Sequence, residues 1–571
     1  MKRIQVILLC TVMLMTVSLA FAQNAEWLWA AKAGGIYNDS GKDIATDSAG
    51  NNVVIGYFSD TATFGNITLS SAGGYDAYVA KMDTNGNWLW AKRCGGPTDG
   101  GPNVDWGYSV ALDSASNVYI TGYFNGSATF GATTLTGTGM SDIFIAKLDA
   151  NGNWLWATKA GGTRYDYSNA IAVDANGNVF VTGCFSYAAA FNSVDSAIPP
   201  INLNCFGNMD IFVAKLSTAG NFEWAKAYGG TEHDYGYNIL SDGNGSIFMT
   251  GIYRGTANFD THQLSSNGDY DVFVAKLSSA GECAWVKSAG GAVADWGYGL
   301  SVDSNHNVFV AGAFTGTITF GATVMNSTGN EDFFLAKMNN NGDWLWAVKA
   351  GSTNTDIATA ICNDAAGNCY ITGYFTGTIS FDNENLSTVD NDYDIAVAAI
   401  SPSGEWLWAK RGGGLSSEFS SSIGVDASAN IYITGNFFDT AEFDAGHTII
   451  SYGASDTFVA KLALRNTVDN DDSFAIYKPS FVLKQNYPNP FNANSRIEVE
   501  VNDNKAPVEL SIYNMKGRKV RTMHQGMMNE GNNSLFFNGL DDNNQQLPSG
   551  VYFYRVSMGG NTETRRMILT R

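Results

Sequence analysis

Charged residues are scarce in this chain, and basic residues are the scarcer kind. Only 15% of its 571 residues are charged, and 33 Lys and Arg against 54 Asp and Glu leave a formal net charge of −21. A protein that binds nucleic acid needs clustered Lys and Arg side chains to meet the phosphates. The composition therefore argues against nucleic acid as a partner.

Residue patterns for the common catalytic chemistries are missing as well. The sequence has no G-x-S-x-G, H-E-x-x-H or P-loop motif, no Cys and His spacing typical of zinc, and no pair of carboxylates that stands out as a glycosidase pair. Its five histidines are scattered along the chain: His233, His262, His306, His447 and His524. The sequence therefore offers no candidate catalytic residue and no metal site, and an enzymatic role stays an alternative only.

Long apolar runs are confined to the N-terminal residues. Lys2 and Arg3 precede the apolar run 7–20, and Ala20-Phe21-Ala22 matches a small-residue cleavage site. We expect residues 1–22 to be a signal peptide that is cleaved after Ala22. No later run is apolar for long enough to span a bilayer, so we expect no transmembrane segment in the mature chain.

Cysteines are few, and Cys10 falls within the predicted signal peptide. Cys362 and Cys369 flank one short turn, and Cys184 and Cys205 flank a long insertion, so each pair is a candidate disulfide. Cys94 and Cys283 have no evident partner.

What the chain does contain is a repeat. A W-x-W-A-K element or its equivalent recurs at spacings of 61, 66, 68, 61, 61 and 62 residues, at Trp29, Trp90, Trp156, Trp224, Trp285, Trp346 and Trp408. Each period has four predicted strands, as in GYSVALD, NVYITGYF, DIFIAKLD and WLWATK, which we label A, B, C and D. The C run is apolar on both faces, so each hairpin is expected to lie between similar sheets.

Seven such units are expected, and the two ends of the array complement each other. The mature chain begins with a lone D strand at residues 27–32, and its last unit ends after strand C at residues 456–462. Pairing of these ends would leave no sheet short of a strand. We predict an all-β fold, with a seven-bladed β-propeller of three-plus-one closure at residues 23–463. A linear stack of repeats is the alternative.

A different pattern follows the repeats. Residues 464–479 form an acidic, polar linker, and six alternating strands follow within residues 480–571, which predicts a small β-sandwich.

Two segments of the sequence resemble known families. DYGYNILSDGNGSIFMTG at 234–251 and DVFVAKL at 271–277 resemble the bacterial β-propeller repeat known as SBBP, which implies a fold but no chemistry. LKQNYPNPFN at 483–492, YNMKGRKV at 513–520, LPSGVYFYRV at 547–556 and RRMILTR at 565–571 resemble the type A C-terminal sorting domain of the type IX secretion system. This second resemblance implies export by the type IX machinery to the cell surface or the medium.

The loops that join strand D to the next strand A carry the richest candidate binding residues. Aromatic faces beside carboxylates suit sugars, because rings stack on C–H groups and acids accept hydroxyl hydrogen bonds. The residues are Asp105, Trp106, Tyr165, Asp166, His233, Asp234, Tyr235, Asp295 and Trp296, and the same loops also carry Tyr108, Tyr167 and Tyr298. Packing between repeats is the alternative explanation of the same residues.

The D-x-N-G-N turns, such as residues 83–87 and 149–153, offer closely spaced oxygen ligands, which is what calcium needs. Calcium is thus the one cofactor to consider, although a hairpin turn explains these residues equally well.

The leading hypothesis is a secreted or surface-displayed, non-enzymatic propeller that binds a polysaccharide or a surface protein. A secreted enzyme acting on extracellular polymer and a purely structural surface protein are the alternatives.

Overall fold

The computed structural model describes residues 23–97, 104–382, 384–444, 446–466, 481–484, 486–492, 494–501, 506–558 and 561–570. The predicted signal peptide, its cleavage site at Ala22 and most of the predicted linker lie outside these residues. The chain divides into two compact units, Met1–Thr467 and Val468–Arg571. Every regular element among the described residues is a β-strand, which confirms the all-β class.

The strands of the first unit fall into successive repeats. The first strand and the first three repeats comprise β1 (Gln23–Gly34); β2 (Ser40–Thr46), β3 (Asn52–Phe64), β4 (Ile67–Met82), β5 (Trp88–Cys94); β6 (Trp106–Leu112), β7 (Val118–Phe124), β8 (Ser127–Phe130), β9 (Thr133–Thr136), β10 (Asp142–Leu148), β11 (Trp154–Gly161); β12 (Asp166–Val173), β13 (Val179–Phe185), β14 (Ala188–Phe191), β15 (Ile201–Asn204), β16 (Asp210–Leu216) and β17 (Phe222–Gly230). The later repeats comprise β18 (Tyr235–Ser241), β19 (Ser246–Phe259), β20 (His262–Ser278), β21 (Cys283–Ala289); β22 (Asp295–Val302), β23 (Val308–Phe320), β24 (Thr323–Met338), β25 (Trp344–Ala350); β26 (Asp356–Asn363), β27 (Cys369–Phe375), β28 (Thr378–Phe381), β29 (Glu384–Ser387), β30 (Asp394–Ile400), β31 (Trp406–Gly414); β32 (Glu418–Val425), β33 (Ile431–Glu442) and β34 (Thr448–Asn466).

Each repeat is an antiparallel sheet in the order A, B, C, D. In the fourth repeat, β18 pairs with β19, β19 with β20, and β20 with β21. The B and C strands are buried on both faces; every residue of β10 is buried, for example. Their side chains pack between sheets, as where Phe248 and Val272 of one repeat share a core with Val310 and Phe334 of the next. This packing of sheet against sheet explains why the B and C strands are apolar on both faces.

The extra length between strands B and C forms a second hairpin. In the fourth repeat β19 and β20 continue past a register shift into a hairpin that ends at Phe259 and His262. This hairpin pairs with the D strand of the preceding repeat through Gly229 and Asn258. The insertion thus links neighbouring sheets through backbone hydrogen bonds.

The first strand of the unit joins its last repeat. β1 pairs with β34 from Gln23 opposite Asn466 to Ala33 opposite Thr457. Trp27 is buried in the same core as Phe458. The end of β1 also pairs with β3, through Gly34 and Thr63, so this strand connects the last repeat to the first.

Every A strand carries a β-bulge near its start. In β18, Gly236 pairs with Gly251 and Asn238 with Thr250, and Tyr237 between them has no partner in the ladder. The same shift occurs in the other A strands, β2, β6, β12, β22, β26 and β32. Consecutive A strands contact one another, and β32 contacts β2. The bulges of all these strands therefore lie around one axis.

The second unit contains two sheets that share one core. Its strands are β35 (Phe481–Leu483), β36 (Ser495–Val501), β37 (Val508–Asn514), β38 (Lys519–Gly526), β39 (Gly531–Phe537), β40 (Gly550–Met558) and β41 (Asn561–Leu569), in the sheet orders β35-β36-β39 and β38-β37-β40-β41. Buried Phe491 belongs to this core, and its amide donates to the carbonyl of Ile568 at 2.9 Å. The proline-punctuated segment is thus fixed onto the closing strand.

The described cysteines are all free thiols, and the two candidate disulfides are absent from the structure. Cys362 lies opposite Tyr370, and Cys369 lies opposite Asn363. Because neighbouring residues of a strand point to opposite faces, the two thiols lie on opposite faces of one sheet and pack into different cores. Cys184 is fully buried on β13, whereas Cys205 is only partly buried and donates to the carbonyl of Gly207 at 3.2 Å.

Candidate binding site

The unpaired residues of the A-strand bulges line a central cavity of about 660 Å³. A bulge leaves one residue outside the ladder and re-aims its side chain, and in this unit that side chain lines the cavity. We call these the bulge residues: Lys42, Tyr108, Asn169, Tyr237, Tyr298, Thr359 and Ser421. A cavity of this size is typical of small-molecule sites.

Three of the bulge residues are tyrosines, and two of them are neighbours. The rings of Tyr237 and Tyr298 lie 5.3 Å apart at 44° to each other. Burial raises the pKa of Tyr108, Tyr237 and Tyr298 above the usual tyrosine value, so their hydroxyl groups stay protonated at neutral pH. These side chains therefore offer the cavity an apolar ring face and a hydroxyl donor.

The other bulge residues are polar, and some are held by neighbouring strands. Asn169 donates from Nδ2 to the carbonyl of Gly236 at 2.8 Å, and Thr359 donates to the carbonyl of Ser420 at 3.0 Å. Following the order of the repeats, Thr359, Ser421 and Lys42 succeed one another, opposite to the tyrosine-rich part. Among the bulge residues, the tyrosines thus lie on one side and only polar side chains on the other, where Tyr374 and Phe419 also line the cavity.

The predicted aromatic residues form a second tier beside the bulge residues. Trp296 stacks on Tyr298 at 6.1 Å and 7°, and Tyr235 stacks on Tyr237 at 6.1 Å and 4°. Trp106 stacks on Tyr57 of the preceding repeat, with centroids 4.4 Å apart. These side chains support the cavity wall, although they are not among the residues that line it.

Tyr165 and His233 lie beyond the second tier, because each stacks on a residue that is not itself a bulge residue. Tyr165 is exposed and stacks on Tyr167 at 6.1 Å and 19°, and His233 stacks on Tyr235 at 6.2 Å and 7°.

The predicted acids take a different position from the aromatics. Asp105, Asp166, Asp234 and Asp295 are buried and do not line the cavity. Asp234 shows their common contacts: it accepts hydrogen bonds from the amides of Gly230 at 2.7 Å and Arg254 at 3.1 Å. In the structure this carboxylate fastens the D-to-A loop to the end of strand B.

A second buried acid, at the start of each C strand, lies against the first. A Cβ built on Gly95 would lie 2.6 Å from Oδ1 of Asp76 and 2.9 Å from Oδ2 of Asp105, so both carboxyl groups close on this glycine. The pairs are Asp39 with Asp456, Asp105 with Asp76, Asp166 with Asp142, Asp234 with Asp210, Asp295 with Asp271, Asp356 with Asp332 and Glu418 with Asp394. We call these the acid pairs.

Burial and the neighbouring carboxylate raise the pKa of one member of each acid pair. The pKa of Asp105 rises to about 8, that of Asp234 to about 7 and that of Asp295 to about 8. Desolvation is the larger cause in all three, and the second acid adds to it. Buried carboxylate oxygens without a hydrogen-bond partner in the structure include Oδ1 of Asp271 and Oδ2 of Asp295.

Some acid pairs have a cation beside them and others do not. Arg93 contacts Asp76 at 2.8 Å, and Lys349 contacts Asp332 at 2.9 Å. The equivalent position holds Ala227 beside Asp210 and Ser288 beside Asp271. Burial raises the pKa of Asp271 to about 6.

The D-x-N-G-N turns use their aspartate oxygens within the turn. Oδ1 of Asp149 accepts from the amides of Asn151 and Asn153, each at 2.9 Å. Asp83 makes the same contacts with Asn85 and Asn87. Over the part of the chain that the structure describes, no group of three or more His, Cys, Asp or Glu side chains is arranged to hold a metal ion.

A second concave site lies on an outer strand. Phe381, Asp382, Glu384, Glu405, Trp406, Leu407 and Trp408 line a cleft of about 440 Å³. Oε2 of Glu384 accepts the amide of Ala409 at 2.9 Å. Aromatic rings and acids also meet in this cleft, which makes it the rival to the central cavity.

Sequence reasoning placed Tyr108 and Tyr298 in the candidate loops, beside Trp106 and Trp296, but it did not identify the bulge position. The signal of the bulge residues lies in the repeat itself: each stands three positions after the A-strand acid and directly after a Gly, Ser or Ala. The residue at this position differs in chemistry from repeat to repeat, as Lys42, Tyr108, Asn169, Thr359 and Ser421 show. The residue before it is Gly, Ser or Ala in every repeat.

Comparison with known proteins agrees with both resemblances. A family model described as a β-propeller repeat, SBBP, matches residues 89–127 and 155–183, and a model described as a secretion system C-terminal sorting domain matches residues 485–570. A WD repeat-containing protein, L264, of Acanthamoeba polyphaga mimivirus is 27% identical over 443 residues, or 62% of this chain. The chain spans 32% of that relative's length.

Solved structures are similar only at a low level. A fungal alcohol oxidase of the AA5 family, in complex with copper, is 12% identical with a TM-score of 0.37, over 96% of this chain and all of the other. Sqt1 from Chaetomium thermophilum is 10% identical with a TM-score of 0.36, over 76% of this chain and 86% of the other.

The chain thus carries stretches that match the SBBP β-propeller repeat within its first unit and a secretion system C-terminal sorting domain at residues 485–570. The sorting domain makes this a secreted or outer cell-surface protein, whose export involves the type IX machinery. Within the described ranges, no helix is long and apolar enough to cross a membrane.

Proposed function

We propose that the first unit is a seven-bladed β-propeller, closed by the pairing of β1 with β34, and that it binds a carbohydrate in its central cavity. In this account the second unit is a small β-sandwich that directs export and takes no part in binding. The function is that of a surface-displayed or secreted binding module.

The bulge residues carry this proposal. The shared fold requires a bulge in each A strand but not a particular side chain there, and at the bulge position the chain supplies tyrosines on one side of the cavity and polar groups on the other. Sugar rings present C–H faces, which stack on tyrosine rings, and hydroxyl groups, which bond to amide and hydroxyl side chains.

The size of the cavity favours a carbohydrate over a folded protein partner. About 660 Å³ accommodates a small molecule or a short stretch of a chain. A stable protein interface buries about 800 Å² on each partner, which a cavity of this kind does not provide.

A glycan array probed with the full protein tests the proposal. We expect at least one glycan to bind the wild type and to bind the Tyr237→Ala, Tyr298→Ala double variant at least tenfold more weakly. Tyr187→Ala is the matched control, because Tyr187 is an exposed tyrosine of the same unit that does not line the cavity. Equal binding by both variants would place the glycan elsewhere, and breakdown of the bound glycan would favour the alternative of a secreted enzyme.

A further inference from the structure

Lys42 is the one basic side chain among the residues that line the central cavity. It is the bulge residue of β2, where Gly41 pairs with Gly56 and Asp43 with Ile55, so the backbone of Lys42 lies outside the ladder. Its Nζ lies 5.3 Å from the ring centroid of Tyr57. The ammonium group is thus held at the wall between an aromatic face and the open cavity.

No carboxylate of the described residues lies within ion-pair distance of Lys42. This sets it apart from the buried Lys81 and Lys337 of the same unit, which contact Asp47 at 3.0 Å and Asp303 at 3.3 Å. Desolvation lowers the pKa of Lys42, and no neighbouring anion compensates for it. A cation in this setting gains free energy from any anion that enters the cavity.

Asp43 is the one acidic side chain on the cavity wall, and its oxygens are occupied by the protein. It accepts hydrogen bonds from Oγ of Ser109 at 2.8 Å, the amide of Val110 at 2.9 Å and Oγ of Ser422 at 2.6 Å. These donors come from the A strands on either side of β2. Asp43 therefore ties β2 to its neighbours, and its side chain forms no ion pair with Lys42 among the described residues.

We propose that the cavity selects an acidic sugar, whose carboxylate or sulfate group pairs with Lys42 while its ring packs against the tyrosine side. The inference rests on the proposed carbohydrate function and adds the charge of the ligand to it. Ser421 is the adjacent bulge residue in the order of the repeats and offers a hydroxyl donor to the same anion.

Matched pairs of probes test the inference with the full protein at about 0.15 M salt, where the net charge of the protein is screened beyond about 8 Å. The first pair is an oligogalacturonate and its neutral methyl ester. The second pair is a sulfated galactan oligosaccharide and its desulfated form. We expect at least one anionic member to bind at least about tenfold more tightly than its neutral partner.

Three variants attribute this preference to Lys42. Lys42→Met removes the charge at similar volume and should abolish the preference for the anionic member of each pair, and Lys42→Arg should keep that preference. Lys92→Met, on the outer strand β5 and away from the cavity, should leave the preference unchanged. Thermal unfolding of each variant shows whether it is folded.

The outcomes separate this inference from the function beneath it. If the anionic and neutral members of each pair bind equally well, and the tyrosine double variant loses that binding, the acidic-sugar inference is wrong while the carbohydrate function stands. A preference that survives Lys42→Met would also overturn the acidic-sugar inference. If no carbohydrate binds the wild type, both proposals are wrong.

Discussion

The carboxyl groups of Asp210 and Asp234 meet beside Gly229. A Cβ on that glycine would lie 2.6 Å from Oδ1 of Asp210 and 2.7 Å from Oδ2 of Asp234. The two acids come from adjacent sheets, and both are fully buried. An acid pair of this kind recurs between each repeat and the next. The protonation of these carboxyl groups is therefore coupled to the packing of neighbouring sheets.

The acid pairs should make the folded protein less stable in alkaline solution. The raised pKa values in the folded state are about 7 for Asp39, Asp166, Asp234 and Asp356, about 8 for Asp105 and Asp295, and about 9 for Glu418. An unfolded acid titrates near pH 4, so between about pH 4 and pH 9 the folded state binds more protons and the free energy of unfolding falls as pH rises. We expect a higher unfolding midpoint at about pH 5.5 than at about pH 8.5. A midpoint that rises over this interval would contradict the pairing.

The turn aspartates act in the opposite direction at acid pH. Hydrogen bonds within the turns lower the pKa of residues such as Asp113 and Asp426, so their contribution is lost as pH falls below about 4. Stability should therefore be greatest on the mildly acidic side of neutrality.

Asp295→Asn should weaken the alkaline loss of stability. The pair of Asp295 with Asp271 has Ser288 where five of the other repeats have a Lys or Arg, at Lys32, Arg93, Lys159, Lys349 and Arg411. The Asp295 carboxyl group, with a pKa raised to about 8, loses its proton in alkaline solution, whereas the carboxamide of an Asn has no proton to lose. We expect the variant to unfold at a higher temperature than the wild type at about pH 8.5 and to gain nothing at about pH 5.5. Asp83→Asn, in an exposed turn, is the control and should leave the slope unchanged.

Gly290→Ala should destabilise the protein severely. The added Cβ would lie 2.2 Å from Cγ of Asp271, which is buried and has no room to move. We expect a loss of about 3 kcal/mol in the free energy of unfolding, measured by denaturant titration. Gly446→Ala is the control, because its nearest contact would be an ordinary 3.5 Å from Asp444 Oδ1. A loss no larger than that of the control would contradict the geometry.

Trp106→Ala should destabilise the fold rather than remove a ligand contact. Trp106 stacks on Tyr57 at 4.4 Å and does not line the cavity, so its loss should cost about 1–3 kcal/mol of stability. Trp106→Phe keeps an aromatic ring and should recover part of that loss. Full stability of Trp106→Ala, measured by denaturant titration, would contradict a packing role.

Ala30→Cys with Ala460→Cys should form a disulfide under mild oxidation. Ala30 lies opposite Ala460 where β1 pairs with β34, although the two are far apart in sequence. The cross-link is detected by peptide mass mapping. Ala30→Cys with Ala463→Cys is out of register, since Ala463 lies opposite Glu26, and should cross-link much less.

The repeat, its strands and the position of the loop aromatics could be predicted because each depends on local pattern. The acid pairs could not be predicted, because Asp76 and Asp105 recur in step without any sign that they meet. The bulge position could not be predicted for another reason. The alternation of side chains along a strand assumes that every residue takes its place in the ladder. The sequence pattern therefore assigns Tyr237 to the ladder, whereas in the structure Tyr237 lies outside it. The expected Cys362–Cys369 disulfide is absent for a related reason: closeness across a turn does not specify the face of the sheet to which each side chain points.

The most direct test of the account is a crystal structure of the protein with a glycan that binds it on the array. The account predicts sugar density in the central cavity, in contact with Tyr237 or Tyr298 and with an acidic group near Lys42. Density in the outer cleft of Trp406 and Trp408, with the central cavity empty of sugar, would contradict it.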